Sequence, residues 1–152
     1  PKAGARVMSL NQPDTKMSKS IPEGCVFLME KPEDILRKFK RAITDSDTER
    51  CVRFDPQAKP GVSNLMQIYS AVTGKSFETI EAEFDGKGYG AFKPAVGEAV
   101  GELLRPIREE TERLLADKGY LESVYRAGAE KASYVAEKTL RKVYKKVGFL
   151  AR

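Results

Sequence analysis

The sequence contains no histidine, only two cysteines and no long hydrophobic run. The absence of histidine excludes every motif that requires an imidazole side chain. Cys25 and Cys51 are too few and too far apart for a zinc site, so we interpret them as reduced cysteines of a cytosolic protein. No apolar run approaches the roughly 18–20 residues that a membrane span needs, so we expect no membrane partner.

The beginning of the chain also lacks the features of a secretory signal. Residues 1–9 mix basic and small side chains and contain no apolar segment of the required length. The sequence has no initiator methionine, and we therefore expect it to begin inside a longer open reading frame. The expected location of the protein is the cytoplasm.

The composition is that of a globular protein with an uneven distribution of charge. Hydrophobic residues make up 41% and charged residues 32% of the 152 positions, enough for one ordinary domain or two very small ones. Residues 1–22 carry a net charge of +3, residues 23–119 of −3 and residues 120–152 of +5. Basic ends around an acidic middle indicate contact with a polyanion, although basic residues at helix ends also interact with the helix dipole.

Hydrophobic periodicity predicts an all-α chain after a loop-like segment at the start. Apolar residues at helical spacing predict helices over residues 32–43, 63–73, 76–84, 89–116 and 120–147. Ser76 is expected to cap the third helix, and Gly74 and Gly148 to end the second and the fifth. The apolar stripes should bury one another, which predicts a helical bundle.

The segment with the most distinctive chemistry is Lys16-Met17-Ser18-Lys19-Ser20, which lies between Pro13 and Pro22. Two ammonium groups and two hydroxyls are the groups that bind phosphate oxygens. A loop that closes over a nucleotide can place its lysines on charge that develops in the transition state. Considered alone, such a pentapeptide is more often a solvated surface loop.

The pentapeptide reads KMSKS, the second signature of class I aminoacyl-tRNA synthetases, and the chain resembles the bacterial tryptophanyl-tRNA synthetases over nearly its whole length. The segments that carry the resemblance, besides the loop, are Gly4–Leu10, Val52–Pro56, Lys59–Leu65, Ile68–Gly74, Gly88–Lys93 and Ala136–Phe149. The related tyrosyl enzymes share the type of loop but not the later segments.

The resemblance implies a ligase of protein biosynthesis that converts tryptophan and ATP to tryptophanyl-adenylate and then charges tRNA(Trp). It implies that Lys16 and Lys19 are catalytic and contact the ATP phosphates together with Mg²⁺. It also implies that Ser18 and Ser20 hydrogen-bond to ATP and that Met17 packs near the adenine. The parent enzyme is expected to be a homodimer.

The resemblance further implies two parts of different origin. Residues 1–30 would be the KMSKS loop and the end of a Rossmann-type catalytic domain, and residues 31–152 a helical domain of the anticodon-binding type. The resemblance assigns no individual tRNA-binding residue within these helices.

The chain departs from the family in one large respect. The first class I signature, HIGH or a close variant, contains two histidines, and this sequence has none. No βαβ pattern precedes the loop, so there is no place for a tryptophan pocket. We therefore expect the C-terminal half of a ligase, inactive alone. The alternatives are a stand-alone RNA-binding helical module, which would have no use for an ATP loop, and a helical interaction domain with solvated basic ends.

Overall fold

The computed structural model describes residues 6–48 and 51–150. In this part of the chain every regular element is helical, apart from one isolated antiparallel bridge between Met8 and Lys16. A short 3-10 turn, Pro22–Gly24, precedes the α-helices, which are α1 (Pro32–Arg41), α2 (Pro60–Thr73), α3 (Phe77–Glu83), α4 (Gly88–Ala116) and α5 (Lys118–Val147). The predicted all-α class is confirmed.

The chain divides into two compact units, Pro1–Arg108 and Glu109–Arg152, and α4 runs from the first into the second. The first unit contains both the loop segment and helices α1 to α3. The functional division between residues 30 and 31 is a different kind of boundary from this one and stays a prediction.

Helix α1 ends earlier than the sequence predicted. It begins with Pro32, and Glu33 and Asp34 in its first turn favour the positive end of the helix dipole. It ends at Arg41, although Ile43 continues the apolar stripe. Ile43 N–H instead donates to the carbonyl of Leu10 at 2.8 Å, so this backbone group is used to attach the loop segment.

Helix α2 begins three residues before the predicted Ser63. Pro60 occupies the first position of the helix, where its missing N–H costs nothing. Gly61 is required there because a Cβ at this position would lie 2.1 Å from the carbonyl oxygen of Ile43. The helix ends as predicted at Gly74, whose φ of 75° is left-handed.

The core of the first unit is built from the predicted apolar stripes. Six large side chains are completely buried, namely Ile35, Phe39, Leu65, Met66, Ile80 and Phe92. Phe92 meets Phe84 edge to face with ring centroids 5.0 Å apart. The loop segment also contributes, since Leu10 is only 3% exposed, and it is therefore better anchored than its sparse apolar content suggested.

The second unit, Glu109–Arg152, has capped helix ends, but its described residues enclose no interior. Asp117 Oδ1 accepts from Tyr120 N–H at 2.9 Å, and Gly148 ends α5 with a φ of 76°. No described residue of this unit is buried, and Val135 in the middle of the predicted α5 stripe is 64% exposed. The expectation that this stripe is buried is wrong for this chain, because two helix segments alone enclose no core.

Among the described residues, no helix combines the length and the apolar character that crossing a membrane requires.

Candidate functional site

The KMSKS loop, residues 16–20, extends from a short antiparallel stem. Two backbone hydrogen bonds flank the bridge between Met8 and Lys16, from Met17 N–H to Val7 O at 3.0 Å and from Ser9 N–H to Thr15 O at 2.8 Å. In this pattern Met8 and Lys16 face each other without bonding directly, so the N–H and C=O of Met8 point away from the loop strand. The stem therefore determines where the main chain of Lys16 lies.

The free edge of Met8 is occupied by the side chain of Asn64 from α2. Asn64 Oδ1 accepts from Met8 N–H at 2.9 Å, and Asn64 Nδ2 donates to Met8 O, also at 2.9 Å. The amide thus forms the two bonds that a third strand would form. Asn64 is 3% exposed, and it fixes the stem to a buried face of the helix.

The loop turns back towards the helices directly after Lys19. Ser20 N–H donates to Ser18 Oγ at 3.3 Å, and Ile21 N–H donates to Ser18 O at 3.1 Å. Cys25 N–H then donates to Pro22 O at 3.3 Å within the 3-10 turn. These local bonds shape the outgoing side of the loop.

Lys38 of α1 holds this outgoing side. Its Nζ donates to Pro22 O at 2.8 Å and to Cys25 O at 2.6 Å, and it forms an ion pair with Glu30. A lysine ammonium has three donors, and here all three are used. Consequently both sides of the KMSKS loop are bound by side chains from the helical part of the chain, Asn64 on α2 and Lys38 on α1.

The two sides of the loop meet closely at Gly24. Leu10 N–H donates to Gly24 O at 3.0 Å. A Cβ on Gly24 would lie 2.1 Å from Ser9 Oγ and 2.2 Å from Asn11 Oδ1. A side chain at this position would therefore force Ser9 or Asn11 to move, and glycine lets the base of the loop close without that rearrangement.

The five residues of the signature differ in exposure. Lys16, Lys19 and Ser20 are exposed, and Ser18 is partly buried. Within residues 6–48 and 51–150, neither lysine forms an ion pair, so both ammonium groups are available to an anion. Met17 packs against the hydrophobic core, and its contact with an adenine stays a prediction.

Sequence reasoning missed Asn64 and Lys38. A polar amide at a helix position surrounded by apolar residues is the available signal for Asn64, because a buried amide requires partners. Lys38 gives no such signal, since basic residues are common on the exposed face of an amphipathic helix.

A second polar cluster surrounds Lys59, which is 2% exposed. Its Nζ lies 3.0 Å from Asp45 Oδ1, 2.6 Å from Asp47 Oδ2 and 3.3 Å from Tyr89 Oη. Burial opposes the charge of Lys59, but these hydrogen bonds outweigh it and raise the pKa of the amine above its usual value. The cluster connects the segment before α2 to the start of α4. Both of its acidic residues form ion pairs with the same lysine.

The described residues include no group of three acidic, histidine or cysteine side chains that could hold a metal ion. Cys25 and Cys51 are both buried and unpaired. The chemistry offered by the loop is therefore that of cationic and hydroxyl donors towards an anion.

The chain belongs to the class I tRNA synthetases of the tryptophan and tyrosine type (W and Y), whose family model matches residues 3–105.

Within that class the chain is similar to tryptophan–tRNA ligases. It is 48% identical to the Clostridium tetani enzyme over 98% of the chain, and 49% identical to the Wolinella succinogenes enzyme over 99% of the chain. The chain spans 44% and 45% of the lengths of these relatives.

Solved structures agree in fold. The tryptophanyl-tRNA synthetase of Campylobacter jejuni, solved with ADP and tryptophan, matches 95% of the chain with a TM-score of 0.77 at 25% identity. The Mycoplasma pneumoniae enzyme matches 96% with a TM-score of 0.68 at 29% identity. The chain covers 44% and 46% of these two structures.

Proposed function

We propose that this chain supplies the KMSKS loop and the helical part of a tryptophan–tRNA ligase. Such an enzyme joins tryptophan to the α-phosphate of ATP, releases pyrophosphate, and transfers the tryptophanyl group to tRNA(Trp). The observation that carries the proposal is that Lys16 and Lys19 are exposed and form no ion pair with any described residue, in a loop that is bound on both sides.

In this proposal Lys16 and Lys19 are the catalytic residues. As the bond to the α-phosphate breaks, negative charge accumulates on the departing pyrophosphate, and fixed ammonium groups stabilise that charge most at this moment. Ser18 and Ser20 donate hydrogen bonds to ATP oxygens. Met17, which packs on the core, also lies near the adenine.

Magnesium would accompany the ATP rather than a site on this chain. Mg²⁺ prefers carboxylate, phosphate and water oxygens, and the described residues offer no acidic cluster for it. The KMSKS residues are cationic or neutral and fit the phosphates themselves. The ion, when bound to ATP, neutralises part of the phosphate charge.

The helical part would serve tRNA(Trp). In this proposal residues 31–152 form the anticodon-binding part, and residues 1–30 the end of the catalytic part. The net charge of +5 on residues 120–152 supports contact with RNA phosphates. The ligase would act in the cytoplasm as a homodimer and draw its tryptophan pocket from sequence that this chain does not contain.

The proposal is tested by fusing the chain to the part of the Clostridium tetani relative that it does not span. The fusion should charge tRNA(Trp) with tryptophan and should not accept tyrosine. Charging with tyrosine would place the chain in the other branch of the family. A correctly folded fusion that charges no amino acid would contradict the proposal.

The second candidate function is a stand-alone RNA-binding module. Its support is the basic C-terminal segment together with the exposure of α5. The isolated chain would then bind tRNA with the same affinity as the fusion. Because its support lies in the C-terminal segment, substitution of Lys16 and Lys19 would leave that binding unchanged.

A further inference from the structure

The contact between Asn64 and Met8 has a geometry that goes beyond anchoring a loop. Met8 is the residue that faces Lys16 across the stem. Asn64 binds both polar main-chain groups of Met8, each at 2.9 Å. Three residues therefore lie in one row, with the amide of Asn64 on one side of Met8 and Lys16 on the other.

We propose that Asn64 is a positioning residue that sets the location of the Lys16 ammonium through the main chain of Met8. The inference rests on the proposed function, in which Lys16 acts on the phosphates of ATP. The two hydrogen bonds of Asn64 go to Met8 and not to Lys16. Its effect is to hold the strand on which the bridge to Lys16 is built.

The arrangement suits a loop whose tip must remain exposed. Lys16 cannot be fixed by packing its own side chain, because the ammonium has to remain accessible to the nucleotide. Only the main chain of the stem remains available for positioning. A side chain held within a helix is a rigid support for this purpose, since its own rotamer is fixed by burial among packed neighbours.

The chemistry of the amide is specific to the task. Asn64 provides one acceptor for the Met8 N–H and one donor for the Met8 C=O, and its terminal group is planar. A leucine of similar size would leave both groups of Met8 without a partner. An aspartate would retain the acceptor and, when ionised, would place a negative oxygen against the Met8 carbonyl.

The test is a double-mutant cycle on tryptophan-dependent ATP–pyrophosphate exchange in the fusion described above. Asn64→Leu should slow the exchange about 10-fold or more when Lys16 is present, because small displacements of a catalytic group have large effects. In the Lys16→Ala background the same change should slow it less than about 2-fold, since the group it positions is gone. Gln67→Leu, an amide-to-leucine change on the same helix, should leave both rates unchanged.

The outcomes separate this inference from the proposed function. If Lys16→Ala alone does not change the exchange rate, the proposed catalytic role of the loop is contradicted. A second outcome is that Lys16→Ala slows the exchange but Asn64→Leu has the same effect with and without Lys16. Asn64 would then only stabilise the fold, and the proposal that it positions Lys16 would be contradicted. If Asn64→Leu loses its helical circular dichroism signal, the cycle is repeated with the isosteric Asn64→Asp at about pH 8, where the carboxylate is ionised.

A second measurement needs no activity. Amide hydrogen exchange in this chain should accelerate at Met8 and at Met17 in the Asn64→Leu variant, which removes the acceptor of the Met8 N–H, with the amides in the middle of α2 unchanged. Equal protection of Met8 and Met17 in both proteins would overturn the inference, because the stem would then be held without Asn64.

Discussion

Tyr89 Oη donates a 2.6 Å hydrogen bond to Asp45 Oδ1 and thereby connects the first turn of α4 to the segment that precedes α2. The same hydroxyl lies 2.9 Å from the carbonyl of Cys51 and 3.3 Å from Lys59 Nζ. Asp45 Oδ1 and Lys59 thus have a neutral partner as well as each other, while Asp45 Oδ2 is buried and has no hydrogen-bond partner among the described residues. A network of this kind stabilises the fold only while every member is present.

We expect Asp45→Asn to destabilise the chain by about 1–3 kcal/mol at neutral pH. This is below the usual loss for a broken buried ion pair, because Asp47 still pairs with Lys59. Burial alone would raise the pKa of Asp45, but hydrogen bonds from Tyr89, the Asp47 N–H and Lys59 outweigh it and hold this pKa below its usual value. Urea unfolding of the two proteins gives the difference in free energy.

The pH dependence of that difference has a definite sign. Because the pKa of Asp45 is lower in the folded state, its contribution is complete above the unfolded value of about 4 and is lost as the pH falls through the folded value. The gap between wild type and Asp45→Asn should therefore shrink on acidification below about pH 4. A gap that widens there would contradict the assignment of Asp45 as an ionised partner.

The second prediction concerns Lys38, whose three donors hold the outgoing side of the loop. Lys38→Met keeps most of the apolar stem and removes the donors to Pro22 O and Cys25 O. We expect a loss of about 1–3 kcal/mol in the free energy of unfolding. Lys40→Met is the matched control, because Lys40 lies on the same helix, is exposed, and should change stability by less than about 0.5 kcal/mol. Equal effects of the two changes would show that the contacts of Lys38 are not stabilising.

The third prediction concerns the closure of the loop base. In Gly24→Ala the new methyl group would overlap Ser9 Oγ and Asn11 Oδ1, and we expect a loss of about 1–3 kcal/mol. Gly90→Ala is the control, since nothing lies within 4 Å of the added Cβ and the helical position favours alanine by up to about 1 kcal/mol. Thermal unfolding of both variants should therefore shift in opposite directions. A Gly24→Ala variant as stable as wild type would refute the close approach.

The sequence predicted elements whose signals are local, and it failed where distant segments meet. The predicted caps are confirmed at Gly74, Ser76 and Gly148. They could be predicted because capping depends on only a few neighbouring residues. The early end of α1 could not be predicted, since it depends on the bond between Ile43 and Leu10.

The same distinction applies to the site. The KMSKS residues form a contiguous motif and are visible in the sequence, whereas Asn64 lies 56 positions from the residue it binds. Lys59 likewise gave no sign in the sequence that it is the centre of a buried network. Burial of the α5 stripe was predicted from periodicity alone, and periodicity shows that a face is apolar but not that anything covers it.

The most direct test of the account is the rate of tryptophan-dependent ATP–pyrophosphate exchange in the fusion, measured with Lys16→Ala and with Lys19→Ala. We predict that each change slows the exchange on the order of 10²-fold, with a smaller change in ATP affinity and almost none in tryptophan affinity. The reason is that an exposed, unpaired ammonium contributes most when charge develops on the leaving pyrophosphate. Exchange at the wild-type rate in both variants, with the fold intact, would contradict the assignment of this loop as the catalytic part of the chain.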